Sequence, residues 1–460
     1  MLGAGDEKVV LHTFSRTKEI PRAEKCTDLP VMIRVTAAPY QEHCHPNLDL
    51  VVMVNYDGHT SMLNTTPGHV ISALRSMIDQ LGPRDRLLIL SEEDSMFGCL
   101  DQDPTSLMVE MSENGRSIAQ QWAQHMRHAK FGPYAVEKAS EILKKHGTHE
   151  SNNRVGCIIL IAHGPCELRA TTSNIEFPVH FFCLNDLADI EFGNINEKTS
   201  ITCYKMWRCE KIKDMITQLI SELRNVVTRG IQIHMKAHDG VIISSIKSGG
   251  YASRINAKEG TGIIEIDYLC AGEEKNFIVQ LEVPQSVKKL MTVDGNCNDN
   301  SKIRLNQTSV SVERPDERLA KDICPHVAAE IIRLELVKCV STLGNRSQSA
   351  KSAWSNIRQS VDGCNAPESV LLDFDKEIAL METSGIHRNL WLAYHMWQRP
   401  SIKALLSSPN PDVRLYVSTP GLNDKNHYVK NPGMNNTLKT KEKGRYGFMA
   451  FWTCCLPKAT

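Results

Sequence analysis

Residues 48–54 read LDLVVMV, and residues 155–162 read VGCIILIA. Each is a nearly unbroken apolar run of strand length, as expected of a strand covered on both faces of a parallel sheet. Between them the apolar spacing changes. Thr66 reads as an N-cap and Pro67 as the first helical position, and Val70, Ile71, Leu74, Met77, Ile78 and Leu81 recur at helical intervals until Gly82-Pro83 stops the run. Arg86–Leu90 reads as a second strand, residues 117–145 as two helices broken near Gly132-Pro133, and VHFFCL after Pro178 as another strand. From Cys209 a helix carries Ile212, Met215, Ile216, Leu219, Ile220, Leu223 and Val226 on one face. Strands alternating with helices predict a doubly wound α/β domain over residues 48–227.

Outside that stretch the period changes. Ile231, Ile233 and Met235 alternate, as do Phe277, Val279, Leu281 and Val283, so residues 228–315 are predicted to form an antiparallel β-rich domain. Residues 1–47 are assigned to an N-terminal β segment packing on that domain. From Asp316 the 3.6-residue period returns, with Ile323, Val327, Ile331, Leu334 and Val337, then Leu371, Phe374, Ile378 and Met381, and predicts two antiparallel helices within residues 316–400. Residues 401–460 are rich in Pro, Asn, Gly and Lys and are expected to form a poorly ordered tail.

Composition narrows the class. The 460 residues hold 53 Lys and Arg against 53 Asp and Glu, and 41% are hydrophobic, which fits a soluble globular protein and offers no basic excess that would recommend nucleic acid as a partner. No run is long enough to span a bilayer, and Met1 to Lys8 show no leader, so a cytoplasmic protein is expected. The 15 cysteines lie scattered with only Cys454 and Cys455 adjacent, and read as reduced, mostly buried thiols. The sequons at Asn64, Asn306, Asn345 and Asn435 read as chance occurrences in such a protein.

Three longer segments carry a resemblance: LDLVVMVNYDGHTSM from Leu48, MIDQLGPRDRLLIL from Met77 and IISSIKSGGYASRI from Ile242. They resemble the wavy-growth family of plant RING-finger ubiquitin ligases. VVLHTFSRTKEIPRA near the start and WLAYHMWQRP near residue 400 are similar to further segments of it. The resemblance implies a von Willebrand factor A domain, a β-rich region and a C-terminal helical region. It also implies ubiquitin ligase activity, but the RING that would perform it needs about eight paired Cys and His ligands. None of the cysteines here is so spaced.

The wider A-domain superfamily binds Mg²⁺ or Ca²⁺ through Asp-x-Ser-x-Ser after the first strand, with a Thr and an Asp from later loops. By resemblance, Asp57-Gly58-His59-Thr60-Ser61 occupies the first motif, so Asp57 and Ser61 are kept and His59 replaces a serine. His163-Gly164 stands where the family has Asp-Gly, and residues 129–134 supply no Thr. A hard cation wants oxygen ligands, and an imidazole is a poor substitute. The site is therefore expected to be a degenerate adhesion site of Asp57, His59, Ser61 and His163 with no bound metal, Asp57 and Ser61 being the remaining candidates for Mg²⁺ or Ca²⁺. Asp57, His59 and His163 could alternatively hold zinc or copper, or the histidines are solvated loop residues.

His43-Cys44-His45 reads as a loop, since adjacent residues rarely converge on one ion, and Gly3-Ala4-Gly5 lacks the strand and third glycine of a dinucleotide turn. No phosphate loop or nucleophile elbow occurs. The expected function is a non-catalytic protein-interaction module. Its partner is a protein, with RING-bearing relatives as one candidate, for which the chain would act as adaptor or inhibitor.

Overall fold

The computed structural model describes residues 7–39, 45–56, 66–90, 108–126, 132, 134–147, 154–163, 166–169, 175, 177–184, 190–193, 201–206, 209–238, 240–249, 251–297, 302–305, 309–317, 324–342, 350–361, 368–383 and 413–417. The A-type domain is a sheet of parallel strands flanked by antiparallel edges. Its strands are β3 (Asn47–Tyr56), β4 (Arg86–Leu90), β5 (Val109–Glu110), β6 (Arg154–His163), β8 (Val179–Cys183), β10 (Ile201–Met206) and β19 (Val413–Val417). They lie in the order β19-β10-β8-β6-β3-β4-β5. A separate parallel pair joins β7 (Cys166–Arg169) to β9 (Ile190–Gly193).

The two faces of this sheet are covered differently. Leu50, Val52 and Val54 of β3 share one core with α1 (Thr66–Gln80), α2 (Glu113–His125) and α4 (Ile212–Arg224). The intervening Val51 and Met53 share the other core with Ala135, Val136, Ala139, Ile142 and Leu143 of α3 (Ala135–Lys145). Alternate residues of a strand point to opposite faces, so helices on both sides require both sets to be apolar. That requirement is why LDLVVMV has no polar alternation.

The β-rich domain is two five-stranded sheets packed face to face. One has the order β12-β15-β2-β1-β17, the other β13-β14-β11-β16-β18. The first contains β1 (Glu7–Ser15), β2 (Cys26–Ala37), β12 (Ile242–Lys247), β15 (Glu274–Val283) and β17 (Lys302–Leu305). The second contains β11 (Val226–Ala237), β13 (Ala252–Asn256), β14 (Thr261–Cys270), β16 (Lys289–Cys297) and β18 (Ser309–Ser311). All ladders are antiparallel except β1 on β17. Residues 7–37 thus supply two inner strands of a sheet whose other members lie beyond residue 241, and every strand and helix of the A-type domain except β19 is inserted between β2 and β11. Gly262 brings the two sheets close: a Cβ there would lie 2.9 Å from Ile246 Cδ1 and 3.2 Å from Met235 Cε.

Inside the sandwich Lys275 is 1% exposed and paired with Glu273, whose other oxygen accepts from the Cys270 amide at 2.8 Å. Burial pushes the Lys275 amine down, but the charge of Glu273, reinforced by Tyr251 and by the hydrogen bonds the amine donates to both, raises it above its ordinary value.

The outer face of the first sheet is covered by α5 (Pro325–Thr342), whose Val327 packs on Met32 and Ile278. Helices α6 (Ala350–Val361) and α7 (Glu368–Thr383) complete a small core around Leu336, Val340, Trp354, Leu371 and Phe374. Two differences from the sequence reading follow. The helical region holds three helices among the described residues, not a two-helix hairpin, because α6 buries alanines and one tryptophan rather than a long aliphatic stripe. Within the segment expected to be a poorly ordered tail, Val413–Val417 pairs with β10 along five residues, since VRLYV is strongly strand-forming whatever surrounds it.

Candidate functional site

In β3 and β6, adjacent at the centre of the sheet, the register runs from Asn47 opposite Arg154 to Tyr56 opposite His163. Both strands therefore finish level at their carboxyl ends, where an open α/β sheet forms its ligand crevice. Tyr56, the last residue of β3, stands one strand spacing, about 4.8 Å, from His163. Of the four residues singled out in the sequence, the structure places His163, the last residue of β6, 9% exposed and engaged with its surroundings. Asp57, His59 and Ser61 lie outside the described residues, as does Gly164. His45 Nδ1 lies 3.0 Å from the Arg224 carbonyl oxygen.

The last residue of β6 is an imidazole, His163, not a carboxylate. That donor does not suit a hard cation. Among the described residues no group of three or more His, Cys, Asp or Glu could hold a metal ion.

The opposite end of the sheet is locked by charges that the sequence reading did not single out. Asp49 of β3 is fully buried and takes Arg86 Nε at 2.8 Å and Arg154 Nη2 at 2.6 Å, one guanidinium from each neighbouring strand. The hydrogen bond to Asp49 raises Arg86 further above its ordinary range. Asp85, 1% exposed, accepts from the Leu48 amide at 2.7 Å and the Gly82 amide at 2.6 Å, and pairs with Arg224 at the end of α4. Arg224 Nη1 also reaches the Pro46 carbonyl at 3.3 Å. These clamps tie β3, β4, β6 and α4 into one rigid base. Asp49 was visible as the lone charge in an apolar run, but its arginines lie 37 and 105 residues away.

The A-type domain joins the sandwich through α4. Tyr268 Oη donates to Glu222 Oε1 at 2.9 Å, and the Ala271 amide donates to the Asn225 carbonyl at 2.7 Å. A cleft of about 350 Å³ opens at the far end of the sandwich between Lys25, Ile242, Glu282 and Pro284. Arg314 braces its walls by donating to the carbonyls of Val287, Pro21, Glu24 and Pro284.

No family model matches the chain, and no curated protein matches it significantly. Solved structures do. A von Willebrand factor type A protein from Catenulispora acidiphila superposes with a TM-score of 0.52 at 11% identity, over 91% of this chain and 95% of that one. The fold is that of a von Willebrand A domain with accompanying β and helical regions. At such low identity the likeness concerns architecture alone. The human COPII-coat protein Sec24c matches at a TM-score of 0.41 and 11% identity, over 81% of this chain and 60% of that one. The pilus adhesin SpaC of Lactobacillus rhamnosus GG matches at 0.27 and 9%, over 66% of this chain and 46% of that one. Neither of these two bears on the fold assignment. No described helix is long and apolar enough to cross a membrane.

Proposed function

We propose that the chain is a cytoplasmic, non-catalytic protein-interaction module that takes its partner at the carboxyl end of the A-type sheet, around Asp57, His59, Ser61 and His163, without a metal ion. The supporting observation is the level finish of β3 at Tyr56 and β6 at His163, on a scaffold whose other end is held by the Asp49 and Asp85 clamps. Loops on a rigid frame are where binding residues concentrate. The imidazole at the end of β6 favours contact without metal.

The finer reading is that the partner is a RING-bearing relative with the same A domain, which the chain would bind as adaptor or inhibitor in ubiquitin transfer. It rests on the wavy-growth-like segments LDLVVMVNYDGHTSM, MIDQLGPRDRLLIL and IISSIKSGGYASRI together with the absence of RING-type cysteine spacing. Co-purification at micromolar concentration should recover a complex that survives chelation and is lost in the Asp57→Ala, His59→Ala, Ser61→Ala triple variant. Failure to form any complex with such relatives refutes this reading.

Melting in the presence of Mg²⁺, Ca²⁺, Zn²⁺ or chelator separates the metal alternatives, because a ligand that binds only the folded state raises stability by RT ln(1 + [L]/Kd). The expected result is no shift. A rise with Mg²⁺ or Ca²⁺ restores metal-dependent adhesion through Asp57 and Ser61. A rise with Zn²⁺ alone supports a site of Asp57, His59 and His163.

A further inference from the structure

The seven-stranded sheet is edged on one side by a strand from far down the chain. β8 and β10 pair in parallel from Val179 opposite Ile201 to Cys183 opposite Lys205. On its other side β10 is met antiparallel by β19, with Thr202 opposite Val417, Cys203 opposite Tyr416, Tyr204 opposite Leu415 and Met206 opposite Val413. Thr202 and Tyr204 are 2% and 4% exposed, so the edge beneath β19 is well buried. Without β19, β10 would present a row of unpaired amides and carbonyls, the usual template for strand addition.

Three features make β19 exchangeable. It is five residues long and, among the described residues, pairs with one strand, which places it at the low end of the scale of local opening free energies. It enters from outside the A-type domain, after residues 384–412, rather than from an adjoining element. Chain length alone sets an upper bound of about 100 Å on the span of such a connection, at about 3.3–3.6 Å per residue, so it does not confine β19 to its own sheet.

We propose that β10 is a strand-acceptor edge and that Val413–Val417 exchanges across it between two copies of the chain, each copy's β19 capping the other's β10 in a symmetric dimer. The two joints are identical, so the assembly closes with a two-fold axis and does not grow into a filament. An intramolecular strand competes at an effective concentration on the order of millimolar. Exchange therefore sets in only in concentrated protein, and the dilute chain is a monomer capped by its own strand.

The register supplies the test. Cys203 stands opposite Tyr416, and antiparallel partners have Cα atoms about 4.5–5.5 Å apart, within disulfide reach. The full-length Tyr416→Cys chain is oxidised either dilute or after incubation at high concentration, using an equal mixture of ¹⁴N- and ¹⁵N-labelled protein, with the unsubstituted chain oxidised in parallel. Peptide mapping should find Cys203 bridged to position 416 within one chain when dilute, and between chains, in mixed-isotope form, when concentrated. Intrachain bridges at every concentration overturn the exchange. No bridge between these positions at either concentration overturns the acceptor edge itself. In the unsubstituted chain, hydrogen exchange should find the Ile201–Met206 amides protected on both sides of the strand, and Leu415→Pro should abolish the protection of those that face β19, leaving those that face β8, together with the dimer seen by light scattering. Rapid exchange of those amides in the unsubstituted chain overturns the proposal without recourse to any variant.

Discussion

Asp49 shows how a single charge can hold a domain together. Its carboxylate is fully buried between Arg86 and Arg154, whose side chains are 17% and 15% exposed. Removing one partner of such a cluster leaves the others desolvated and unpaired, so Asp49→Ala should cost about 3–5 kcal/mol. The check is a lower denaturant midpoint at unchanged slope. Lys275 gives a prediction about pH. Its folded pKa is raised above the ordinary 10.5, so its contribution is fully present below that value and is lost as pH rises through the folded pKa. Urea midpoints should fall on the alkaline side of 10.5 in the parent chain, and Lys275→Met should flatten that decline. At this scale the sequence was only partly legible. A charge inside LDLVVMV signals a partner, but strand register decides which arginine it meets, and register is a property of the assembled sheet.

At the scale of the element, two helical glycines should respond to alanine with opposite signs. In α1 a Cβ at Gly68 would meet nothing within 4 Å, so Gly68→Ala should stabilise by about 0.5–1 kcal/mol through the entropy of the unfolded chain. In α2 a Cβ at Gly115 would fall 1.8 Å from the Glu110 carbonyl oxygen. That backbone must move, and overpacking of about 1–3 kcal/mol outweighs the helix gain. Thermal melts of the two variants should move apart. The strands and helices of the A-type domain were readable because each is long and periodic, as with Val70, Leu74, Met77 and Leu81. Helix α6 was not, because Ala350, Ala353, Trp354 and Ile357 make a narrow apolar stripe. β19 was hidden by the Pro- and Asn-rich residues around it.

At the scale of the molecule, β2 is the middle strand of its sheet, paired with β1 on one side and β15 on the other. Deleting residues 1–37 removes both β1 and β2, and no other strand can fill the gap. The sandwich should then lose hydrogen-exchange protection in β12 and β15, while β3, β6 and β8 keep theirs because their cores are built with α1, α3 and α4. Loss of protection in β6 as well would mean that the contact of Glu222 with Tyr268 carries more of the domain than its one hydrogen bond implies. The site is the part least legible from either source. Asp57, His59 and Ser61 were named by motif resemblance and lie outside the described residues, whereas His163 ends a described strand.

The insertion of one domain between β2 and β11 also sets an order of events during synthesis. β2 leaves the ribosome some 240 residues before its partner β15. At about 5–20 residues per second, the first two strands wait roughly 10–50 seconds with both outer edges bare, while the A-type domain emerges and folds behind them. The hairpin of β1 and β2 is thus the segment that a nascent-chain chaperone would meet, and substitutions that make it more aggregation-prone should lower cellular yield more than they lower the stability of the finished protein.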